Sequence, residues 1–144
     1  MKYIGRLNRV SMLHRSRALE AEGINGVQHS YILRICQNPG ITQEELSRVL
    51  YVHKSNVTRQ TTLLEKEGYL TRVPKKEDRR VWCLFPTDKM LAVFPKVRAM
   101  LDEWNAYLLE DFSPEQRALL LDMLDAVLKK ARSRVKPDEG EVYP

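Results

Sequence analysis

A run of short polar and basic side chains stands near the middle of the chain with no acidic residue beside it. The run contains Lys54, Ser55, Asn56, Thr58, Arg59 and Gln60. Arginine bonds guanine edges in a bidentate manner, and asparagine or glutamine bonds adenine in the same way. The alternative is an ordinary solvated helix face, but such a face has no reason to lack carboxylates, and none occurs from Tyr51 to Leu64. The pattern favours contact with a polyanion such as duplex DNA.

A second basic group follows shortly afterwards. Residues 72–80 carry Arg72, Lys75, Lys76, Arg79 and Arg80 against Glu77 and Asp78. A basic loop tip beside a base-reading helix can enter the neighbouring minor groove, whose negative potential attracts arginine. Asp78 stands two residues before Arg80, and we expect it to brace the Arg80 side chain through a charge-assisted bond. Taken alone, the run also fits a solvated turn.

The elements that must position these residues follow from capping and turn signals. Thr42 and Glu45 have the spacing of a capping box and predict a short helix that finishes near Leu50. Its inward side is predicted to carry Leu46, Val49 and Leu50.

A tight connection over 51–53 leads to a second helix, which begins between His53 and Ser55. Gly68 ends it, because glycine tolerates the left-handed C-terminal conformation. Strands are predicted at 69–73 and 81–85, with a charged loop at 74–80. A short capped helix, a tight turn, a second helix and a hairpin form a winged helix-turn-helix, which we place at 27–86. The inward side of the second helix is predicted to carry Val57, Thr61 and Leu64.

Long helices flank this lobe. Residues 2–20 place Tyr3, Leu7, Val10 and His14 on one helical stripe. Thr87 predicts a helix from 88 to about 110, with a possible kink at Pro95. Ser113 to Gln116 predict the start of a last helix that runs to about 135. The apolar stripes of the outer helices exceed what a small domain can cover. We therefore expect 1–22 and 88–135 to dimerise, and 136–144 to form a loose tail.

Several of these residues belong to a family pattern, in which "LE..G" closes the recognition helix, "DRR" lies in the wing and "LT..G" leads out. Over residues 1 to 135 the chain resembles the MarR family of bacterial and archaeal transcription regulators. Two positions depart from the pattern: Phe85-Pro86 precedes the threonine, and Met90 stands where the family often has glycine. The resemblance is carried by Leu64-Glu65-Lys66-Glu67-Gly68-Tyr69-Leu70, Arg72, Glu77-Asp78-Arg79-Arg80, Leu84 and Thr87-Asp88-Lys89.

The resemblance implies a mainly α fold with a small β-hairpin wing, in a single domain spanning 1–144. It also implies a homodimer acting on a pseudo-palindromic operator, most commonly as a repressor. Many such proteins release DNA when a small aromatic or anionic effector binds between the dimer helices and the DNA-binding lobe. By position, that region would involve His14, Arg15, Tyr31 and Arg34. An alternative role for these side chains is ordinary packing in the core or interface.

Composition narrows the remaining function classes. The 144 residues carry a formal net charge of +5, which favours an anionic partner. Cys36 and Cys83 form no metal or redox motif, and both are interpreted as inert core thiols. Neither a signal peptide nor an apolar run of membrane-spanning length is present, so we expect a cytoplasmic protein without membrane contact.

Enzymatic activity is not expected, because the chain lacks a nucleophile–base pair, paired carboxylates and a phosphate-binding glycine loop. We also expect no cofactor and no metal site. The rival to a ligand-responsive DNA-binding regulator is a winged-helix module for protein interaction or architecture that has no effector. Arg59, Arg79 and Arg80 argue against that rival.

Overall fold

The computed structural model describes residues 2–134. Its order of elements confirms the predicted fold class, with six helices and a small antiparallel sheet. The predicted loose tail at 136–144, and position 135 at the end of the last helix, lie outside the described residues. The elements are α1 (Lys2–Ala18), a 3₁₀ turn (Glu20–Glu22), α2 (Gln28–Gln37), β1 (Ile41–Thr42), α3 (Gln43–Leu50), α4 (Lys54–Lys66), β2 (Leu70–Pro74), β3 (Trp82–Pro86), α5 (Asp88–Leu108) and α6 (Pro114–Arg134).

The sheet has one strand more than the predicted hairpin. Its order is β1-β3-β2, and β1 pairs with β3 through Ile41 opposite Leu84. The two wing strands pair from Leu70 opposite Pro86 to Pro74 opposite Trp82. The sequence analysis missed β1 because a two-residue strand is too short to show an alternating pattern. This strand fixes the start of α3 to the base of the wing.

The predicted helix signals are confirmed where α3 begins and α4 ends. The Thr42 hydroxyl accepts from the Glu45 backbone N–H at 3.2 Å, and Oε2 of Glu45 accepts from the Thr42 backbone N–H at 2.8 Å. Gly68 has a φ of +76°, the left-handed conformation that the sequence required. Gly40, at φ +90°, lies against the Phe85 ring, which a Cβ at this position would meet at 3.3 Å.

The core lies where α2, α4, α5 and the sheet meet. Tyr31, Ile32 and Ile35 of α2 are buried. The prediction for α3 was wrong at Val49, which is 42% exposed, whereas Ser47 is fully buried. An eight-residue helix contains too few repeats for periodicity to fix its rotation, so only packing decides which neighbour of Leu46 turns inward.

The outer helices expose apolar surface. On α1, Tyr3, Leu7 and Val10 are 79%, 49% and 54% exposed. No residue of α6 is buried, and its large apolar side chains Leu121 and Met123 are 58% and 59% exposed. Among the contacts between α1 and α5, Trp104 Nε1 donates to the Ser11 hydroxyl at 3.0 Å. Stripes of this size need a partner surface.

Candidate nucleic-acid interface

The N-terminus of α4 is capped by a histidine. Nδ1 of His53 accepts from the Ser55 backbone N–H at 3.2 Å and lies 2.7 Å from the Ser55 hydroxyl. The helix begins at Lys54, as predicted. An imidazole nitrogen thus takes the place of the hydroxyl or carboxylate oxygen that usually satisfies a free N–H at a helix start. The Asn56 and Val57 N–H groups donate to the His53 carbonyl at 2.9 and 3.2 Å.

The predicted base-reading residues mostly lie on the open side of α4. Ser55, Thr58 and Arg59 are exposed, and Asn56 is partly buried. The Thr58 hydroxyl donates to the Lys54 carbonyl at 3.1 Å and keeps its acceptor lone pairs. Lys54 lies 3.7 Å from the Glu44 carboxylate, which Arg48 also contacts at 2.7 Å. Hydrogen-bonding side chains therefore face outward at the end of the helix that would enter a groove.

Gln60 does not belong to this exposed set. It is 6% exposed and lies on the buried side of α4 with Val57, Thr61 and Leu64. These positions follow the i, i+3, i+4, i+7 spacing of one helical face, so the polar side chain was assigned to the wrong side. Its Oε1 is buried and has no hydrogen-bond partner within residues 2–134. In this conformation Gln60 cannot reach a base edge.

Arg72 was predicted to contact DNA from the wing, but the structure turns it toward α4. Its Nη2 donates to the Thr62 hydroxyl at 2.8 Å and to the Thr61 hydroxyl at 3.2 Å. Its Nε lies 3.0 Å from the Glu65 carboxylate, a close ionic contact in which the N–H is not aligned for a hydrogen bond. The Arg72 side chain is 18% exposed. The guanidinium therefore joins β2 to α4.

The Thr61 hydroxyl is where three elements of the lobe meet. It donates to the Val57 carbonyl at 2.8 Å, within α4. It accepts from Nε2 of Gln43, the first residue of α3, at 3.1 Å, and from Arg72 of β2. Thr61 is fully buried, so its one donor and two acceptor positions are used inside the protein. The helical spacing of the sequence predicts only that Thr61 faces inward; it carries no signal for the partners on α3 and β2.

The wing tip is closed by its own backbone and one side chain. The Lys75 N–H donates to the Val81 carbonyl at 2.8 Å, and the Val81 N–H donates to the Asp78 carbonyl at 3.0 Å. Oδ1 of Asp78 accepts from the Arg80 backbone N–H at 3.0 Å. The expected bond from Asp78 to the Arg80 side chain was therefore wrong, because the closer backbone N–H takes the carboxylate. The exposed cations of the wing are Lys75, Lys76, Arg79 and Arg80.

The wing leads back into the long helix through a fixed junction. The Thr87 hydroxyl donates toward the Gly68 and Tyr69 carbonyls, at 2.7 and 2.9 Å. Met90, which replaces the glycine of the family pattern, is fully buried. Lys89 donates to the Glu67 carbonyl at 2.6 Å and lies 4.2 Å above the Tyr69 ring. Met90 therefore packs in the core, and the Phe85 ring, from the other departure, lies against Gly40.

The four candidate ligand residues occupy different surroundings. His14 stacks on Trp104 of α5, with ring centroids 4.2 Å apart. Tyr31 is 1% exposed in the core, where burial raises the pKa of its phenol. Arg34 is exposed and lines a surface groove of about 490 Å³.

Arg15 is the candidate ligand residue with an unmet hydrogen-bonding need. Within residues 2–134, its buried Nε has no acceptor. Burial lowers the pKa of His29, and the positive charge of Arg15 lowers it further. Two nitrogen-rich side chains thus share this junction between α1 and α2.

The structure gives no sign of a reactive thiol or a metal site among the described residues. Burial raises the pKa of the Cys36 thiol to about 11, and Cys83 is partly buried on β3. Between residues 2 and 134, no three histidine, cysteine or acidic side chains gather as a metal site would require. No helix in the same range is long and apolar enough to cross a membrane.

A capped helix-turn-helix, an exposed polar helix face and a basic wing define a winged helix-turn-helix protein of the DNA-binding class. Residues 24–82 match the model of the MarR family. Over residues 24–82 the chain is similar to the MarR family of transcriptional regulators, a family of DNA-binding regulators rather than enzymes.

Individual relatives agree with this placement. The chain is 29% identical over 111 residues to an uncharacterised HTH-type transcriptional regulator, YybA of Bacillus subtilis (strain 168), covering 77% of this chain and 71% of the relative. It matches the solved MarR protein of Peptoclostridium difficile with a TM-score of 0.90 and 27% identity, covering 92% and 87% of the two chains.

A Listeria monocytogenes structure of a putative MarR family regulator, complexed with a 26mer DNA, has the same fold. Its TM-score is 0.84 and its identity 24%, and the match covers 97% of each chain.

Proposed function

We propose that this regulator acts as a homodimeric, ligand-responsive repressor on a pseudo-palindromic operator. The observation that carries the proposal is the pairing of an exposed polar face at the start of α4, to which residues 51–64 contribute no carboxylate, with a basic wing tip. Such a regulator works on chromosomal DNA, and the proposal therefore places it in the cytoplasm. Bound at a promoter, the dimer would exclude the transcription machinery.

In the DNA part of the proposal, α4 occupies the major groove and the wing lies over the adjacent minor groove. Ser55, Asn56, Thr58 and Arg59 read base edges, and Lys54 contacts phosphate at the helix start. Arg79 and Arg80 approach the minor groove, while Lys75 and Lys76 add to the positive field around the wing. A Listeria monocytogenes protein of the same fold was solved in complex with a 26mer DNA, which supports DNA as the partner.

The dimer part of the proposal rests on the apolar surface of α1 and α6. Leu124, Val127 and Leu128 of α6 are 43–46% exposed and follow the spacing of one helical face. Within the described part of the chain nearly half of each side chain stays exposed, so a second copy is the simplest partner for this surface. Two copies would place their α4 helices about one DNA turn, roughly 34 Å, apart.

The ligand part of the proposal rests on Arg15. A buried guanidinium N–H without an acceptor is costly, and a carboxylate ligand would satisfy it. His14, which precedes Arg15 on α1, stacks on Trp104 of α5, and the two rings offer an aromatic surface. An aromatic acid bound at this junction would shift the dimer helices relative to the lobe and weaken operator binding.

DNA binding is tested by fluorescence anisotropy with the promoter region of the regulator's own gene. We expect a steep loss of affinity as salt rises, because each neutralised phosphate releases counterions. Arg80→Ala should weaken binding and flatten the salt dependence, whereas the charge-matched Arg98→Ala on α5 should do neither. Equal binding by Arg80→Ala and the unmodified protein would remove the wing from the interface.

The dimer is tested by light scattering during gel filtration. The unmodified chain should have twice the mass of one chain, and Leu124→Glu with Leu128→Glu should give a folded monomer that binds operator weakly. Circular dichroism checks that the variant keeps its helices. A wild-type monomer would refute the proposed assembly.

The effector is tested with benzoate, using benzamide as the uncharged control. Benzoate should raise the melting temperature and lower operator affinity, since a ligand that binds the folded state stabilises it. Arg15→Met keeps the apolar stem of the side chain and should abolish both effects. If no aromatic acid tested shifts the melting temperature, the ligand part of the proposal loses its support.

A further inference from the structure

We propose that Arg72, Glu65, Thr61 and Thr62 form a bracket that sets the angle between α4 and the wing, which makes Arg72 a positioning residue rather than a DNA contact. The inference rests on the proposed interface, because it assigns a function to the angle at which α4 and the wing meet DNA. It reverses the assignment that the sequence suggested for the wing's first arginine.

The bracket spans two separate elements. Arg72 lies in β2, where it pairs opposite Leu84, and its three contacts all lie on α4. Thr61 and Thr62 take the two bonds from Nη2, and Glu65 lies beside Nε, one helical turn further along. Because the guanidinium contacts several positions along one helix, these contacts oppose rotation of β2 relative to α4. They also oppose separation of the two elements.

The bracket is more enclosed than a surface ion pair. The Arg72 side chain is 18% exposed and the Glu65 side chain 41%. Partial burial reduces screening by water and salt, so the contact holds its geometry better than a fully solvated pair does. The Thr61 hydroxyl also accepts from Gln43, so the same contact extends to the first residue of α3.

Wing orientation matters because the two contacts with DNA are made by different elements. The exposed side of α4 and the exposed cations at the wing tip must reach adjacent grooves at the same time. The covalent route between them passes through Gly68 and Tyr69, whose N–H groups donate to the Glu65 and Leu64 carbonyls; these bonds hold the base of the wing and leave the rest of it free to pivot. A bond across the angle removes that freedom before DNA is bound, so less conformational entropy is lost on binding.

The sign of one substitution separates positioning from direct contact. Glu65→Ala removes a negative charge from a surface that faces a polyanion, so on electrostatics alone operator binding would strengthen. If Glu65 positions Arg72, the same substitution weakens binding, by at least about threefold for a coupled pair of this kind. Glu67→Ala removes a carboxylate two residues away that contacts no cation within residues 2–134, and it should leave binding equal or tighter.

Arg72→Lys supplies a second comparison. Lysine keeps the charge but cannot make the forked contact with two hydroxyls and a carboxylate. A phosphate contact would survive this change, whereas a bracket would not. We therefore expect Arg72→Lys to weaken operator binding nearly as much as Arg72→Ala, with little change in salt dependence.

Wing motion can be measured without DNA. Trp82 lies at the start of β3, opposite Pro74, and is 43% exposed. In a Trp104→Phe background it is the remaining tryptophan of the two in the chain. Time-resolved anisotropy should show larger-amplitude local motion of Trp82 in Glu65→Ala than in Glu67→Ala.

The inference is overturned if Glu65→Ala binds operator as tightly as, or more tightly than, the unmodified protein. It is also overturned if Trp82 moves equally in the Glu65 and Glu67 variants. Failure of the proposed interface looks different, because Arg59→Ala and Arg80→Ala would then bind as the unmodified protein does.

Discussion

The carboxylate of Asp78 accepts a hydrogen bond from the backbone N–H of Arg80 at 3.0 Å, so the wing tip is folded by a side chain that leaves the Arg80 guanidinium free. A bond between the two side chains would have neutralised the cation that the wing presents. Because the backbone N–H takes the carboxylate instead, a defined turn and an exposed positive charge exist at the same tip.

This arrangement predicts opposite results for two substitutions of Asp78. Asp78→Asn keeps an oxygen that accepts from the Arg80 N–H and removes one negative charge, so operator affinity should hold or rise. Asp78→Ala loses the bond as well, which costs about 1 kcal/mol of turn stability, so affinity should fall. Anisotropy titrations at one salt concentration compare the two, and tighter binding by both variants would show that the turn does not matter.

Arg59 should contribute to sequence discrimination. It is exposed near the start of α4, where a guanidinium can bond guanine, a contact worth about 1–3 kcal/mol of discrimination. Arg59→Ala should lower the ratio of operator affinity to random-DNA affinity, and Arg98→Ala should leave that ratio unchanged. If Arg59→Ala weakens both DNAs equally, Arg59 is a phosphate contact.

The capping box of α3 should make part of the stability sensitive to acid. Hydrogen bonds from the Thr42 backbone and side chain hold the pKa of Glu45 below its usual value of 4.5. Because the folded-state pKa is lowered, this contribution is present above the unfolded pKa and is lost as pH falls through the folded pKa. Urea midpoints measured from pH 7 to pH 3 should therefore fall less steeply in Glu45→Gln, which keeps a capping side chain without a titrating group.

Thr42→Ala provides the companion measurement for the same cap. Removing the hydroxyl should cost about 1 kcal/mol of unfolding free energy at neutral pH. The urea midpoint of Thr42→Ala should also fall less steeply from pH 7 to pH 3, since Glu45 loses one of its hydrogen-bond partners. If the urea midpoints of both variants depend on pH as that of the unmodified protein does, other carboxylates govern the acid sensitivity.

Cys36 should react slowly while the protein is folded. Burial raises its pKa to about 11, so at pH 8 the reactive thiolate is a very small fraction. Iodoacetamide labelling followed by mass spectrometry should show protection of Cys36 that disappears in denaturant. Operator binding should survive mild peroxide, and Cys36→Ser should behave in the same way. Rapid labelling of Cys36 in the folded state would contradict the interpretation of an inert thiol.

Local signals in the sequence were sufficient for the order and ends of most elements. The Thr42–Glu45 box, the Gly68 stop and the Ser113–Gln116 start each depend on residues within one turn of the helix, and the structure confirms all three. Signals of this kind can be read along the chain because they involve backbone groups a few residues away. The two-residue β1 carries no such signal.

The sequence by itself determined the types of side chain available for DNA and the order of the elements that carry them. Only the tertiary structure decided which of those side chains are free. Gln60 is polar and lies among base-reading types, yet the rotation of α4 against the core buries it. Arg72 is basic and lies in the wing, yet it donates its hydrogen bonds to Thr61 and Thr62 of α4.

The physical reason is that burial and partnership depend on contacts between residues far apart in sequence. Arg72 meets Thr61 and Thr62 eleven and ten positions away, across the helix end at Gly68. The sequence shows that Arg72 supplies a hydrogen-bond donor. Which acceptor lies closest to it is decided only when β2 folds back along α4.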